Sequence, residues 1–337
     1  MLACKISSRI TRRGIQLVLG GLWLLDGALQ LQHQMFTSSF ANNVIAPAAQ
    51  GQPVFVSGVM HFSIHMFLMH PAIYNALIAI IQLSLGVLIL WKRTAKYGLI
   101  ASVFWGLFVW YVGEGLGGLA SWQTLLLMGA PGAALIYVVL ALGVMPPSKR
   151  RHDQRPAYWL VLFWALLWSV GAIYQLLPGQ NSVSDIGSMI SGNASGAPGW
   201  LASLDTHAAH AISRLSTQTV SSMAGMHMTP SQMAQMQTHQ VSGFWFIALL
   251  AVVQLLISIA VLIPGCARRV AIAAGIVLSL IFWAVGQSFG GYYTGLATDP
   301  NSGPLFILLG VAVLGCAEIN VKQLWRRLAG DFEQLMI

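Results

Sequence analysis

Long apolar stretches with almost no charge alternate with short polar turns along nearly the whole chain. A helix of about 20 residues crosses the roughly 30 Å hydrocarbon core of a bilayer, and eight of the stretches approach that length. The pattern therefore predicts an all-α integral membrane protein with eight transmembrane helices. The predicted spans cover residues 14–32, 72–91, 97–113, 124–145, 157–177, 243–263, 270–287 and 304–319.

The composition agrees with this pattern, since 56% of the 337 residues are hydrophobic and only 8% are charged. A mean hydropathy of +0.71 implies more apolar surface than a water-soluble core of this length can hide. Lys and Arg are retained on the cytoplasmic side of short loops, and an inner N-terminus places all of them except Arg214 on that side. We therefore predict a multi-pass protein of the cell inner (plasma) membrane with both termini in the cytoplasm.

The net charge of +8 follows from the same distribution. It is interpreted as a topology signal and as attraction to the anionic headgroups of the lipid bilayer. No basic stripe is interleaved with aromatic residues, so nucleic acid is not a predicted partner.

Two segments of the chain resemble each other closely. Residues 110–118 read WYVGEGLGG and residues 283–291 read WAVGQSFGG. A proline that opens the next apolar stretch follows each segment at the same offset, and these prolines are Pro131 and Pro304. The coincidence indicates an internal duplication.

The duplication extends upstream, because GQPVFVSGVMHFSIH (51–65) aligns with GAPGWLASLDTHAAH (196–210). We predict a first four-helix membrane repeat over residues 1–150 and a second over 151–337, with a Met/His-rich insertion at about 211–240. Each repeat has an even number of helices, so the two repeats are predicted to be parallel and related by an axis along the membrane normal. Their long outer loops then lie on the same periplasmic or extracellular face.

The plan of each repeat is a glycine-rich first helix, a long outer excursion and a pair of helices joined by a short basic turn, as in IIQLSLGVLILWKRTAKYGLIASVFWGLF. This plan resembles the DoxX-like superfamily of four-helix membrane proteins, here as a tandem duplication covering nearly the whole chain. The resemblance implies one four-helix bundle per repeat. For some members it implies a role as the membrane subunit of a quinone-linked oxidoreductase, such as the thiosulfate:quinone type. It carries over no catalytic residue.

Histidines recur at matching places in the two outer loops. In MHFSIHMFLMH, His61 and His65 are four residues apart and share one helix face, and the counterpart DTHAAH supplies His207 and His210. The hypothesis is that the repeat axis brings these four imidazoles together as a metal site. The alternative is a pair of amphipathic helices that lie at the membrane surface and bind no metal.

The insertion contains the stretch MAGMHMTPSQMAQMQTH, residues 223–239. Thioether sulfur is a soft ligand that selects Cu(I), and imidazole binds both copper states. Met226, His227, Met228 and His239 are therefore predicted copper ligands, and the leading functional prediction is binding or handling of copper at the outer face. Contact with a partner or with lipid, and a linker without any ligand, remain alternatives.

Two carboxylates lie in or at the end of apolar stretches. Glu114 ends the third stretch and aligns with Gln287 of the second repeat. Asp26 lies inside the first stretch and aligns with Val170. Ionisable groups at such depth are costly and suggest a proton relay, a metal ligand or a hydrogen-bond partner of a quinone. For Glu114, a helix-end carboxylate in contact with water is the alternative.

These carboxylates define the alternative function, a membrane subunit of a quinone-linked oxidoreductase that works with a periplasmic or membrane redox partner protein. Asp26 or Glu114 would then lie near the quinone or on the proton path. Whether the chain itself is an enzyme is left open. A solute transporter is ranked last, because Asp26 has no ionisable counterpart in the second repeat.

Overall fold

The computed structural model describes residues 10–122, 124–146, 155–177, 183–193, 197–214 and 230–316, with the backbone alone for 230–244. Within these ranges the chain is helical and contains no strand. The predicted all-α class is confirmed.

The longer helices of these ranges are connected by short helical turns and loops. Residues 33–49 form a succession of such turns. The others are Gly115–Ser121, Leu126–Met128, Phe282–Gly286 and Ser288–Thr294. The longer helices are α1 (Arg12–Leu29), α2 (Val54–Met69), α3 (Pro71–Leu90), α4 (Ala95–Val112), α5 (Ala133–Gly143), α6 (Leu160–Gln175), α7 (Val183–Asn193), α8 (Gly199–Ser213), α9 (Pro230–Ala260), α10 (Cys266–Ile281) and α11 (Ser302–Gly315).

Three helical stretches in the described ranges are long and apolar enough to cross a membrane: α3, α4, and Cys266–Thr294, which is α10 with the turns that continue it. Their outward side chains are large and apolar, including Ile80, Phe104 and Val277, each more than half exposed. The molecule is thus compatible with a membrane protein.

The remaining predicted spans correspond to apolar helices that are shorter or less hydrophobic, and as spans they stay predictions. One boundary is wrong. Residues 124–132 form a short turn and a loop, and α5 begins only at Ala133, because two glycines with positive φ, Gly129 and Gly132, interrupt the helix.

The helices pack by the same scheme in each half of the chain. In the first half α1 lies along α3 and α4 along α5, and in the second half α6 lies along α9 and α10 along α11. Helices α5 and α11 contact each other and join the halves. Trp164 and Trp168 of α6 are fully buried, and their rings meet edge to face with centroids 5.6 Å apart.

A second, smaller apolar cluster lies under the helical turns of residues 33–49. Phe40 of this segment meets Phe67 of α2 edge to face, with ring centroids 5.1 Å apart. Met35 and Met60 are fully buried in the same cluster. These contacts hold residues 33–49 against α2 and place Phe40 and Phe67 beside the cavity described below.

Candidate functional site

The chain reverses direction after α4 and after α10 through backbone of the same unusual shape. Leu116, Gly117 and Gly118 have φ of 58°, 61° and 77°. The corresponding residues after α10, Phe289, Gly290 and Gly291, have φ of 53°, 77° and 64°. Left-handed φ is costly for Leu and Phe, and its occurrence in both WYVGEGLGG and WAVGQSFGG shows that the two segments fold alike.

A tryptophan ties each turn to the loop that follows it. Trp110 Nε1 donates to the carbonyl of Pro131 at 2.7 Å, and Trp283 Nε1 donates to the carbonyl of Pro300 at 2.8 Å. The structural equivalent of Pro131 is therefore Pro300, whereas the sequence offset predicts Pro304. The loop between the glycine turn and the proline is shorter in the second half, and a constant offset cannot register this.

The side chain four residues after each tryptophan caps the next helix. Glu114 Oε1 accepts a hydrogen bond from the Ala134 N–H at 3.0 Å, and Gln287 Oε1 accepts one from the Gly303 N–H at 2.9 Å. Both amides belong to the first turn of a helix, where N–H groups lack partners within the helix. Glu114 and Gln287 thus perform the same structural task.

An aromatic cavity of about 140 Å³ lies between α1, α3, α4 and α5 in the first half. Its rings come from Trp23, Phe40, Phe67, Trp105, Phe108 and Tyr137. Neither Trp23 nor Tyr137 is more than 2% exposed, and their ring centroids are 4.3 Å apart. The two rings are tilted by 36° to each other, and the cavity presents a mainly aromatic surface to whatever occupies it.

Five polar atoms that line this cavity are buried without a hydrogen-bond partner in the protein. They are Asp26 Oδ1, Gln30 Oε1, Gln82 Oε1, Trp105 Nε1 and the Tyr137 hydroxyl. Such groups are rare, and each costs roughly 1–3 kcal/mol unless a water or a ligand satisfies it. Their concentration around one aromatic cavity indicates a ligand with both donors and acceptors.

Asp26 is the only carboxylate among these five groups, and it is 1% exposed. Its carboxylate and the Tyr137 hydroxyl lie within hydrogen-bonding reach of each other, but neither Asp26 Oδ1 nor the hydroxyl has a well-aligned partner. Gln30 lines the same cavity. Gln32 does not, because its Nε2 donates to the carbonyls of Leu29 and Ala297.

A wide polar vestibule of about 660 Å³ opens beside the aromatic cavity on the side of the loops. Amide and hydroxyl side chains such as Asn43, Gln50 and Thr124 line it. Its charged lining residues are Glu114 and Asp299, and these two also line the aromatic cavity. The two carboxylates therefore stand at the junction between the open vestibule and the enclosed cavity.

Asp299 belongs to the loop before α11, in the second half of the chain. Its Oδ1 accepts from the Asn301 N–H and its Oδ2 from the Thr298 hydroxyl, both at 2.6 Å. Burial raises the pKa of Asp299, and these two hydrogen bonds oppose the rise. Burial likewise raises the pKa of Glu114 to about 8, the negative charge of Asp299 adds to the rise, and the bond from Ala134 opposes it.

The Gln287 side chain of the second half is hydrogen-bonded within the protein at both ends. Gln287 Nε2 donates to the Leu127 carbonyl at 3.4 Å, so both ends of the amide have partners. Next to it the Ser288 hydroxyl donates to Asp205 Oδ2 at 2.7 Å. Gln287 thus occupies the position that corresponds to Glu114, the acid that lines the vestibule in the first half.

The four histidines of the predicted metal site lie on two different helices. His61 and His65 lie on α2, and His207 and His210 lie on α8, where all four are exposed. Helix α2 packs against α3 and α4, whereas α8 packs against α7. Over the described part of the chain, no group of three or more His, Cys, Asp or Glu residues is placed to hold a metal ion.

The predicted copper ligands of the insertion fall elsewhere. Met226, His227 and Met228 lie outside the described residues, and His239 lies in the part of α9 for which only the backbone is described. The predictions for these residues stay predictions.

The sequence reasoning identified Glu114 and Asp26 as candidates but missed Tyr137, Gln82 and Trp105. A signal for Gln82 was present, since it is a lone amide inside the apolar run IIQLSLGVLIL. Tyr137 and Trp105 gave none, because aromatic residues are ordinary in apolar helices. Comparison with protein-family models, with curated proteins and with solved structures found no match for this chain.

Proposed function

We propose that this chain is the membrane subunit of a quinone-linked redox system, and that it binds the head group of a quinone or quinol in the aromatic cavity. The observation that carries the proposal is the set of five unpartnered polar atoms around that cavity. A quinone offers two carbonyl acceptors, and a quinol offers two hydroxyls that both donate and accept. Donors such as Trp105 Nε1 suit the first, and acceptors such as Gln30 Oε1 suit the second.

The size of the cavity fits a single ring. An apolar cavity of about 150 Å³ takes up benzene, and the volume here is about 140 Å³. Aromatic walls add stacking contacts worth about 0.5–1.5 kcal/mol per ring pair. A flat ring with oxygens at its edges meets both the aromatic surface and the polar atoms.

The proposed route for the quinone tail runs sideways to the lipid. Ile78 of α3 and Phe108 and Val112 of α4 line the cavity, and Phe108 is 54% exposed on the outer surface of the molecule. Because these residues are apolar, an isoprenoid tail can leave between α3 and α4 into the hydrocarbon.

The chemistry balances with one partner. A quinone that takes up two electrons and two protons becomes the quinol, and the reverse reaction releases both. The electrons are exchanged with a redox partner protein that carries a haem, iron–sulfur or copper centre. The chain's own residues orient the ring and hold its oxygens, chiefly through Tyr137, Asp26 and Gln82.

We further propose that eight helices cross the bilayer as two parallel four-helix repeats. The matching left-handed turns, the two Trp–Pro hydrogen bonds and the two helix-capping contacts support this arrangement. The similar packing of α1 with α3 and of α6 with α9 supports it too.

Photoaffinity labelling tests the proposed function. Protein in lipid nanodiscs is illuminated with an azido-benzoquinone and the labelled peptides are mapped by mass spectrometry. We expect label on α1, α4 and α5, and its loss when excess short-chain quinone competes. Label that is confined to other helices, or that excess quinone does not displace, would overturn the proposal.

Copper handling at the outer face remains a separate proposal. It depends on Met226, His227, Met228 and His239, with His61, His65, His207 and His210 as the further ligands. It is compatible with quinone binding, since the histidines on α2 and α8 do not line the aromatic cavity. Its test is given in the Discussion.

A further inference from the structure

We infer that the site exchanges its protons only with the vestibule, through Glu114 and Asp299, so that quinol oxidation releases both protons on the face of the molecule that carries the loops. The inference rests on the proposed function and adds a direction to it. Its parts are the position of the two carboxylates, the closed opposite end of the cavity, and the lack of nearby cations.

The two carboxylates lie between the aromatic cavity and the vestibule. Glu114 comes from the end of α4 and Asp299 from the loop before α11, so the two halves of the chain each supply one acid. Both line the aromatic cavity and the vestibule. A proton that passes from the cavity to the vestibule therefore passes a carboxylate.

The other end of the cavity is closed. Trp23 Nε1 donates to the Ser102 hydroxyl at 2.8 Å, which joins α1 to α4 on the side away from the loops. Beyond this bond Leu19, Leu99 and Ile136 are fully buried and pack together in the apolar core. The next polar side chain of α1 in that direction is Gln16, which donates to the Val144 carbonyl at 2.8 Å and accepts from Arg13. A proton that moved this way would have to cross the apolar layer between Gln16 and the cavity.

The surroundings of Glu114 and Asp299 contain acidic groups and no cation among the described lining residues. The ionisable groups that line either cavity are Glu114, Asp299, Asp26 and Tyr137, and no Lys, Arg or His is among the described lining residues. Without a cation, two neighbouring carboxylates cannot both be charged at low cost, and they readily hold one proton between them. The pKa of Glu114, raised to about 8 chiefly by burial, favours transfer near neutral pH.

Thiol accessibility tests the direction without any quinone. Glu114→Cys and Asn43→Cys, the latter exposed on the vestibule wall, are made in a protein lacking Cys4 and Cys316. Cys266 serves as the internal control, since it is exposed at the start of α10, the end remote from the loops. In oriented proteoliposomes a membrane-impermeant thiol reagent is expected to modify Glu114→Cys and Asn43→Cys from one side and Cys266 from the other.

Proton kinetics test the role of Glu114. A short-chain quinone bound to the protein is reduced rapidly by two equivalents of reduced methyl viologen, whose oxidation releases no proton, and a pH-sensitive dye follows the uptake of two protons per quinone. Glu114→Gln is expected to slow this uptake by about 100-fold or more while quinone still binds. Asp299→Asn is expected to slow it less, because Glu114 remains.

Gln287→Glu is the matched control, since it changes the equivalent position of the second half. Glu114→Gln should fold, because Gln287 already caps a helix in that way. Unchanged proton uptake in Glu114→Gln, or modification of Glu114→Cys from the Cys266 side, would overturn the inference. If quinone labelling fails while thiol access is confined to the loop side, the quinone function is lost and the directional access stands.

Discussion

Replacement of Tyr137 by phenylalanine separates a ligand-binding hydroxyl from a structural one. The hydroxyl is buried and has no well-aligned hydrogen-bond partner in the protein, with Asp26 alone within reach, so its removal relieves a poorly satisfied polar group. The scaffold tolerates phenylalanine at the equivalent position: counted from the helix starts Ala133 and Ser302, the residue of α11 that matches Tyr137 is Phe306, which is fully buried. The variant is thus expected to be more stable and to bind quinone more weakly.

The magnitudes follow from these contacts. An unsatisfied buried hydroxyl costs about 1–3 kcal/mol, and even the lower value raises the melting temperature by about 2 °C. A hydrogen bond to the ligand contributes about 0.5–1.5 kcal/mol, and its loss weakens binding by about 2- to 12-fold. Stability and affinity therefore move in opposite directions.

Tyr174→Phe is the control, because the Tyr174 hydroxyl donates to the Leu119 carbonyl at 2.9 Å and lies outside the aromatic cavity. It should lower the melting temperature by about 2 °C and leave quinone affinity unchanged. Both variants are measured in nanodiscs by thermal unfolding and by displacement of the azido-quinone label. If Tyr137→Phe melts lower than the wild type, or binds quinone equally well, the assignment of the cavity as a ligand site is refuted.

Three further predictions concern Glu114, the glycine beside it and the Met/His-rich insertion. Folding raises the pKa of Glu114 from 4.5 to about 8. Its contribution to the free energy of unfolding is therefore full below pH 4.5 and is lost as the pH rises through 8. Denaturant titrations should show the free energy of unfolding falling over this pH range in the wild type and falling less in Glu114→Gln. Gly132→Ala places a Cβ about 2.2 Å from Glu114 Oε2 at a φ of +102° and should lower the melting temperature, whereas Gly58→Ala, with open space around it, should not. Elemental analysis after Cu(I) loading should find less copper when Met226, His227 and Met228 are changed to alanine, and equal copper in both proteins would contradict the copper proposal.

The sequence predicts much of the helical order, because apolar runs and glycine-rich turns are local signals. The duplication is recognisable from WYVGEGLGG and WAVGQSFGG for the same reason. The Pro131–Pro304 match shows where such reasoning ends, since a loop shortened in one copy shifts the true equivalent to Pro300. Local patterns record neither loop closure nor which loop meets which helix.

The candidate site is less accessible from sequence because its parts are distant along the chain. Asp26 and Glu114 stand out as charges in apolar surroundings, whereas Asp299 in TDPNSGP reads as an ordinary helix entry. Only the contact between the halves shows that this loop of the second half reaches the cavity of the first. Tyr137 is conspicuous only through a hydroxyl without a partner, which is a property of the folded molecule.

The two halves differ where the chemistry is proposed and agree where the scaffold is built. Glu114 and Gln287 both cap a helix, yet only the first can release a proton. Tyr137 corresponds to Phe306, which keeps the ring and lacks the hydroxyl. The acid and the hydroxyl at these two positions are absent together from the second half, which agrees with the proposal that both serve the quinone site of the first. The second half contributes Asp299 to the lining of both cavities, so the proposed site needs both halves of the chain.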